Sequence, residues 1–336
     1  MFDSGVVDRL GRPLRDLRIS VTDRCNFRCR YCMPRERFGE QHTFLPRRAY
    51  LSFLEIEKVV LACKPLGLEK VRITGGEPLL RPDLHELISK ISATGVEVAL
   101  TTNASLLSQQ AAKLAEAGLD RVTVSLDALD PEVHSQMTDS STPVEAVLDG
   151  IDAALEAGLT PLKVNCVVQR GVNETEVAPL VRRFRGTGVT VRFIEYMDVG
   201  RTNGWHSGQV VPSADLLAHL QGEFDLTPLD SERPSDVARR WAHADGSGEI
   251  GVISSVSEPF CGDCVRARLS ADGMLHTCLF ASGGHDLRAI IHNGAEGPAL
   301  SDAISAIWSR RDDRYSEIRS KETAALPRVE MSYIGG

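Results

Sequence analysis

The chain has 336 residues, 42% of them hydrophobic and 25% charged, with a net charge of −8, so it can bury a large core and is no disordered segment. That acidic balance excludes a general duplex-binding surface but not a small polyanionic ligand, which needs only a few cations focused in one cleft. No basic leader runs into an apolar stretch and no run is long enough to span a bilayer, which predicts a cytoplasmic protein with no membrane and no nucleic-acid partner. In that reducing compartment the eight cysteines are expected as free thiols or metal ligands rather than as disulfides.

In chain order, β-rich runs at 15–21, 69–74, 97–102, 121–126, 162–168 and 189–195 alternate with amphipathic stretches at 54–62, 84–93, 111–117, 146–157 and 176–184. Six βα units in series predict a parallel sheet, open and doubly wound or closed into part of a barrel. The gap between the first two strands, 21–69, is too long for a simple βα loop and is expected to hold something functional. After residue 195 the alternation ends. A polar tract, 227–248, reads as a linker or surface excursion. Short strands at 250–256, 265–270 and 274–277 follow around a cysteine-containing turn, and then two helices. The division this suggests is a βα region over 1–226 and a C-terminal region over 227–336.

The strongest motif is Cys25-x3-Cys29-x2-Cys32, just after the first strand. Three thiolates so close in sequence can wrap three corners of a 4Fe-4S cube and leave the fourth iron open to a small molecule. The same positions also fall on one helical face as core thiols would, and zinc with a fourth ligand is a further alternative. The charged neighbours Asp23, Arg24, Arg28 and Arg30, with Pro34 close behind, suit a buried helix poorly.

This loop resembles the signature of the radical S-adenosylmethionine (SAM) enzymes. The resemblance implies an α/β fold, a partial (βα)6 TIM-type barrel, with a cluster whose open iron holds SAM and releases a 5′-deoxyadenosyl radical. Gly75-Gly76-Glu77-Pro78 resembles the second motif of that superfamily. Its glycines allow close backbone approach and Glu77 can receive the SAM ammonium, although an ordinary tight turn would use the same residues. By the same resemblance Tyr31 flanks the adenine, Ser125 touches the methionyl carboxylate and Met197 packs near the adenosine.

A second trio, Cys261-x2-Cys264-x13-Cys278, again offers three thiolates, with zinc and His276 or His285 as the alternative. Together with Arg266-Ala267-Arg268, and with Arg192 to Gly200 and the terminal Gly335-Gly336, it resembles the GTP 3′,8-cyclase family, which opens molybdenum cofactor (molybdopterin) biosynthesis. That implies a C-terminal α+β extension carrying a second 4Fe-4S cluster whose free iron binds guanine. It also implies a lyase that removes the ribose C3′ hydrogen of GTP and forms (8S)-3′,8-cyclo-7,8-dihydroguanosine 5′-triphosphate. Arg18, Arg72, Thr101, Lys163, Arg266, Ala267 and Arg268 are then the nucleotide contacts, with Arg266 and Arg268 also placed in catalysis. Arginine's planar fork suits phosphate oxygens, and lysine adds a point charge. Implied partners are GTP, SAM, an electron donor and, by product hand-off, the downstream cyclic pyranopterin monophosphate synthase; a homodimer is compatible. The Gly335-Gly336 tail is placed in the active site, and Cys63 and Cys166 are expected as buried thiols. Competing readings are a radical SAM peptide-modifying enzyme with an auxiliary cluster and a zinc-stabilised nucleotide-binding scaffold.

Overall fold

Among the described residues eight parallel strands stand side by side, and only six of them come from the βα series. The computed structural model describes residues 5–319 and 327–335. The series supplies β1 (Asp16–Ser20), β2 (Lys70–Thr74), β3 (Glu97–Thr102), β4 (Arg121–Ser125), β5 (Lys163–Val168) and β6 (Thr190–Glu195), each paired in parallel with the next. Between and after them run helices at Phe53–Cys63, Leu84–Ser92, Ala111–Glu116, Pro131–Thr138, Val144–Glu156 and Val177–Phe184. Local chemistry sets several of their starts. Ser52 and Glu55 form a reciprocal capping box before Phe53, and Asp130 caps the helix that Pro131 opens.

The strands alternate with period two, and the alternation sorts the two faces of the sheet. Val71 and Ile73, Val98 and Leu100, and Val191 and Phe193 are fully buried in the core shared with the helices. The residues between them, such as Arg18, Arg72, Lys163 and Arg192, line a central cavity of about 1380 Å³. The barrel interior is therefore polar, and the apolar core is the shell between strands and helices.

The rest of the chain completes the sheet from both sides. β7 (Leu226–Leu229) and β8 (Arg239–His243) pair antiparallel and lead to β9 (Glu249–Ile253), which joins β6 in parallel. Residues 254–265 then cross to the opposite edge, where β10 (Arg266–Leu269) joins β1 in parallel and is continued by β11 (Met274–His276) and β12 (His285–Asp286). The polar tract expected to be a linker is thus a hairpin. Its outer strand buries only Leu226, so no apolar alternation announces it. The hairpin tip reaches back across the barrel, where Arg233 pairs with Glu69 at 3.2 Å. A helix at Ser213–Gln221, absent from the sequence reading, precedes the hairpin, and helices Leu287–His292 and Gly297–Trp308 follow β12.

The C-terminal tail is fastened at several points. Buried Asp198 accepts hydrogen bonds from Tyr315 Oη (2.6 Å), Arg319 Nε (3.0 Å) and Arg328 Nη1 (2.9 Å), and Tyr333 donates to Asp272 at 2.6 Å. Gly335 adopts φ 71°, and a β-carbon there would come within 2.3 Å of Thr74 Cγ2. The tail therefore ends against the C-terminal end of β2, while Gly336 lies outside the described residues. Among the described residues no helix is long and apolar enough to cross a membrane.

Candidate active site

The first cysteine trio sits in the loop that leaves β1. Arg28 organises this loop by donating to three of its carbonyls, those of Cys25 (2.7 Å), Phe27 (2.8 Å) and Phe38 (2.8 Å). The start of the loop is clamped to the turn after β2, where Gly76 N–H donates to Thr22 O at 2.7 Å and Glu77 N–H to Arg24 O at 2.8 Å. A β-carbon on Gly75 would meet Thr22 O at 2.6 Å and one on Gly76 would meet Arg24 O at 2.2 Å. The two glycines are required because backbone meets backbone here, so the residues that hold the cofactor motifs hold each other.

Glu77 is buried and accepts from Leu79 N–H (3.0 Å), Thr102 Oγ1 (2.7 Å) and Asn103 N–H (2.7 Å). Burial raises its pKa to about 7 against the pull of those donors. Asn103 in turn donates to Asn26 at 2.9 Å and to Cys25 Sγ at 3.9 Å, joining Glu77 to the cysteine loop. On the other side Tyr31 donates to Asp127 at 2.8 Å, and burial lifts Asp127 to about 6. The thiols are pushed the same way. Burial, then the charge of Glu77, raises Cys25 to about 12, and burial holds Cys29 and Cys32 well above the ordinary thiol range. Acids and thiols crowd together here, so the region favours bound positive charge.

Deeper in the barrel the sign reverses. Arg268, Arg18 and Arg72 lie in register on three adjacent strands, β10, β1 and β2. Lys163 and Arg192 face the same cavity from β5 and β6. Arg72 donates to Thr101 and Thr123, both at 3.2 Å, and Arg192 to Asn165 at 2.9 Å, but none of these five cations makes an ion pair among the described residues. Burial lowers Arg192 to about 9, Arg268 to about 10 and Lys163 to about 8, with neighbouring arginines adding to each shift. The Nε atoms of Arg18 and Arg268 are buried without a hydrogen-bond partner. A polyanion would satisfy all of them.

The second trio is assembled from two loops, with Cys261 and Cys264 on the link into β10 and Cys278 after β11. Arg266 aims Nη2 and Nε at Cys264 Sγ, at 3.3 and 3.4 Å. Burial works to raise the Cys264 pKa, but Arg266, Arg311 and Arg268 outweigh it and bring the thiol down to about 6, whereas burial raises Cys278 to about 11.

The donor sets fit clusters better than single ions. Tetrahedral zinc–thiolate bonds of about 2.3 Å place sulfurs roughly 3.8 Å apart. Neither trio, with or without a histidine, brings three ligand atoms within 4.8 Å of one another; the one group of described residues that does is the surface set Asp83, His85 and Glu86. Three thiolates without a fourth protein ligand are the donor set of a 4Fe-4S cluster with one open iron.

Every expected cluster, SAM and nucleotide residue lines the cavity except Ala267, whose side chain points the other way into the core and leaves only backbone for a ligand; of the tail, Met331 and Ser332 line it, Gly335 does not, and Gly336 lies outside the described residues. Sequence reading missed Arg192, which occupies the inward position of β6 that alternation predicts, and the supporting residues Asn103 and Asp127, each just beyond a strand's C-terminal end. Cys63 and Cys166 are buried, as expected.

A curved parallel sheet with a three-cysteine loop after its first strand defines a radical SAM protein, and the Radical SAM superfamily model matches residues 19–184. The Molybdenum Cofactor Synthesis C model matches residues 189–317. The GTP 3′,8-cyclases of Acidothermus cellulolyticus and Xanthomonas axonopodis pv. citri are 50% and 53% identical to this chain, each comparison covering 98% of both sequences. That of Staphylococcus carnosus is 44% identical over 98% of this chain and 99% of its own. The chain belongs to the GTP 3′,8-cyclase family. Among solved structures, Streptococcus suis SuiB bound to S-adenosylmethionine superposes over 92% of this chain and 68% of its own with a TM-score of 0.64 at 16% identity, a likeness of fold alone.

Proposed function

We infer that this chain is a GTP 3′,8-cyclase that uses SAM and two 4Fe-4S clusters to convert GTP into (8S)-3′,8-cyclo-7,8-dihydroguanosine 5′-triphosphate, the first step of molybdenum cofactor biosynthesis. The observation that carries the substrate is the layer of unpaired cations inside the barrel, Arg18, Arg72, Lys163, Arg192 and Arg268, which suits a triphosphate. In this reading Cys25, Cys29 and Cys32 hold one cluster, and Cys261, Cys264 and Cys278 the other. When bound, the clusters supply the electron that splits SAM and an iron site for the purine.

The residues of the chain do the rest by position. Glu77 receives the SAM ammonium, and Tyr31, Ser125 and Met197 frame its adenosine and carboxylate. The cations fix the phosphates, so that the ribose C3′ hydrogen is presented to the radical and C8 of guanine lies within reach of C3′, an instance of catalysis by orientation. Arg266 and Arg268 border both the nucleotide and the second cluster, with Thr101 beside Arg72 and the backbone of Ala267 between the two arginines. Residues 260–265 and the tail residues Met331 and Ser332 form part of the cavity wall and limit the access of water, which a carbon radical requires. We place the barrel in 1–226 and the second-cluster region in 227–336, and the protein in the cytoplasm. There a one-electron donor reduces it, and its product passes to cyclic pyranopterin monophosphate synthase; a homodimer is compatible with this role.

The test is to incubate anaerobically reconstituted protein with SAM, a strong reductant and GTP deuterated at C3′, and to weigh the 5′-deoxyadenosine. Deuterium in that product is expected. Cleavage of SAM without deuterium transfer removes GTP C3′ as the target, and no cleavage with both clusters intact removes the radical reading.

A further inference from the structure

Three cysteines on two irregular loops must hold their sulfurs at fixed spacing without the support of a helix or strand. The structure shows what fixes them. Arg12 Nη1 donates to Cys261 O at 2.7 Å and to Asp313 O at 2.8 Å. Arg311 Nη1 donates to Cys264 O at 2.7 Å, and its Nε donates to Thr277 O, beside Cys278, at 3.0 Å. One carbonyl at or next to each cysteine is thereby gripped by one of two guanidinium groups.

Those two groups are joined through a single carboxylate. Asp8 Oδ2 accepts from Arg12 Nε at 2.7 Å and from Arg311 Nη1 at 3.1 Å, and the three side chains are 2% exposed or less. Asp8 is held by its own backbone turn, its Oδ1 accepting from the N–H groups of Leu10 and Arg12, both at 2.9 Å. Trp308 locks the assembly by donating to Arg12 O at 2.9 Å while the Arg311 guanidinium lies 4.5 Å from its ring centroid. Arg12 and Arg311 border the wall of the central cavity, yet their hydrogen bonds run to the protein, and a buried charge network is costly unless its geometry does something. Here all of it points at the cysteine loops, from residues 303 positions apart in sequence.

We propose that Asp8, Arg12 and Arg311 are positioning residues for the second cluster: they ligate nothing, but they set the spacing of Cys261, Cys264 and Cys278, and with Asp313, 3.7 Å from Arg311 Nε, they place a charge-balanced network behind the loops. Outer-shell groups of this kind orient ligands and tune a cluster's potential. The inference rests on the reading that these three cysteines hold a cluster.

The test uses the full chain with Cys25→Ala, Cys29→Ala and Cys32→Ala, so that only the second cluster forms. Asp8→Asn, Arg311→Gln and the conservative Arg12→Lys are added to it singly, and iron, sulfide, the electron paramagnetic resonance (EPR) line shape and the midpoint potential are measured. The same three substitutions are also placed in the otherwise unaltered chain and assayed for SAM cleavage without GTP. Expected are loss of most of the iron, or a changed line shape and potential, for Asp8→Asn and Arg311→Gln, a partial effect for Arg12→Lys, and SAM cleavage within about twofold of the parent. An unchanged second cluster in all three overturns the proposal. So does joint loss of SAM cleavage and of the circular dichroism of the fold, which would make the triad a general anchor. If the parent triple variant itself holds no iron, the reading beneath the proposal fails, and the proposal with it.

Discussion

The two cysteine trios offer the same ligands in opposite surroundings. Cys25, Cys29 and Cys32 share their pocket with Glu77 and Asp127, and their thiols are pushed up; in the second trio Cys264 lies against Arg266 and Arg311 and is brought down to about 6, although burial still raises Cys278 to about 11. Ligand type alone does not distinguish the sites; the second layer does. The acidic surroundings of the first suit a cationic cofactor, a sulfonium carrying an ammonium. The arginine surroundings of the second suit an anionic substrate.

Removing a ligand gives the largest effects. Cys25→Ala should abolish both SAM cleavage and GTP conversion, while Cys264→Ala should abolish GTP conversion and leave SAM cleavage measurable by chromatography of 5′-deoxyadenosine. If Cys264→Ala silences both, the sites are not separable.

Next come the barrel cations. Arg18→Ala or Arg268→Ala removes charged hydrogen bonds worth about 1.5–3 kcal/mol and should weaken GTP binding roughly 10- to 100-fold by equilibrium dialysis. Each change should also raise the melting temperature of the nucleotide-free protein, because a buried cation without an ion-pair partner is removed. A lowered melting temperature would mean the arginines are structural. On the acidic side, Glu77→Gln turns an acceptor into a donor facing the N–H of Asn103 or Leu79, which costs the fold about 1–3 kcal/mol. It also removes the charge that receives the SAM ammonium, a charged hydrogen bond worth about 1.5–3 kcal/mol, so SAM affinity should fall about 10- to 100-fold with GTP affinity unchanged.

A smaller effect follows from Lys163, whose pKa falls from an ordinary 10.5 to about 8 through burial and then Arg192. Phosphate binding needs the ammonium form, so GTP affinity should drop about tenfold between about pH 7 and pH 9, and Lys163→Arg should flatten that profile. Fold stability moves the other way. The unfolded chain binds more protons between about 8 and 10.5, so the Lys163 contribution rises with pH across that window. The smallest change expected is Tyr31→Phe, which loses one hydrogen bond to Asp127 and should lower the stability of the fold by about 1 kcal/mol in a denaturant titration.

Much of this was legible in the sequence because the signals are local. Strand β3 runs over the residues expected, and the other five of the series differ by a residue or two at their ends, since each βα unit repeats the same apolar alternation. Both cysteine motifs and Gly75-Gly76-Glu77 are likewise short-range. What escaped depends on contacts between distant segments. Nothing in 249–253 or 266–269 says that these strands pair with opposite edges of the sheet. The β7–β8 hairpin is charged and exposed, so composition hides it. Arg192 was within reach from its alternation in β6, but Asp8, Arg12 and Arg311 become a unit only in three dimensions. The two glycines were read as making room for a ligand; the observed reason includes the cysteine loop itself.

Strands β9 and β10 have a consequence for how the protein is made. A ribosome releases the six βα units first, with β1 and β6 as bare parallel edges that nothing covers until residues 249–269 emerge. Unpaired edges recruit other chains. Synthesis thus passes through an interval in which the nascent polypeptide is most exposed to aggregation and most in need of a chaperone, and translation stalled before β9 would leave it there.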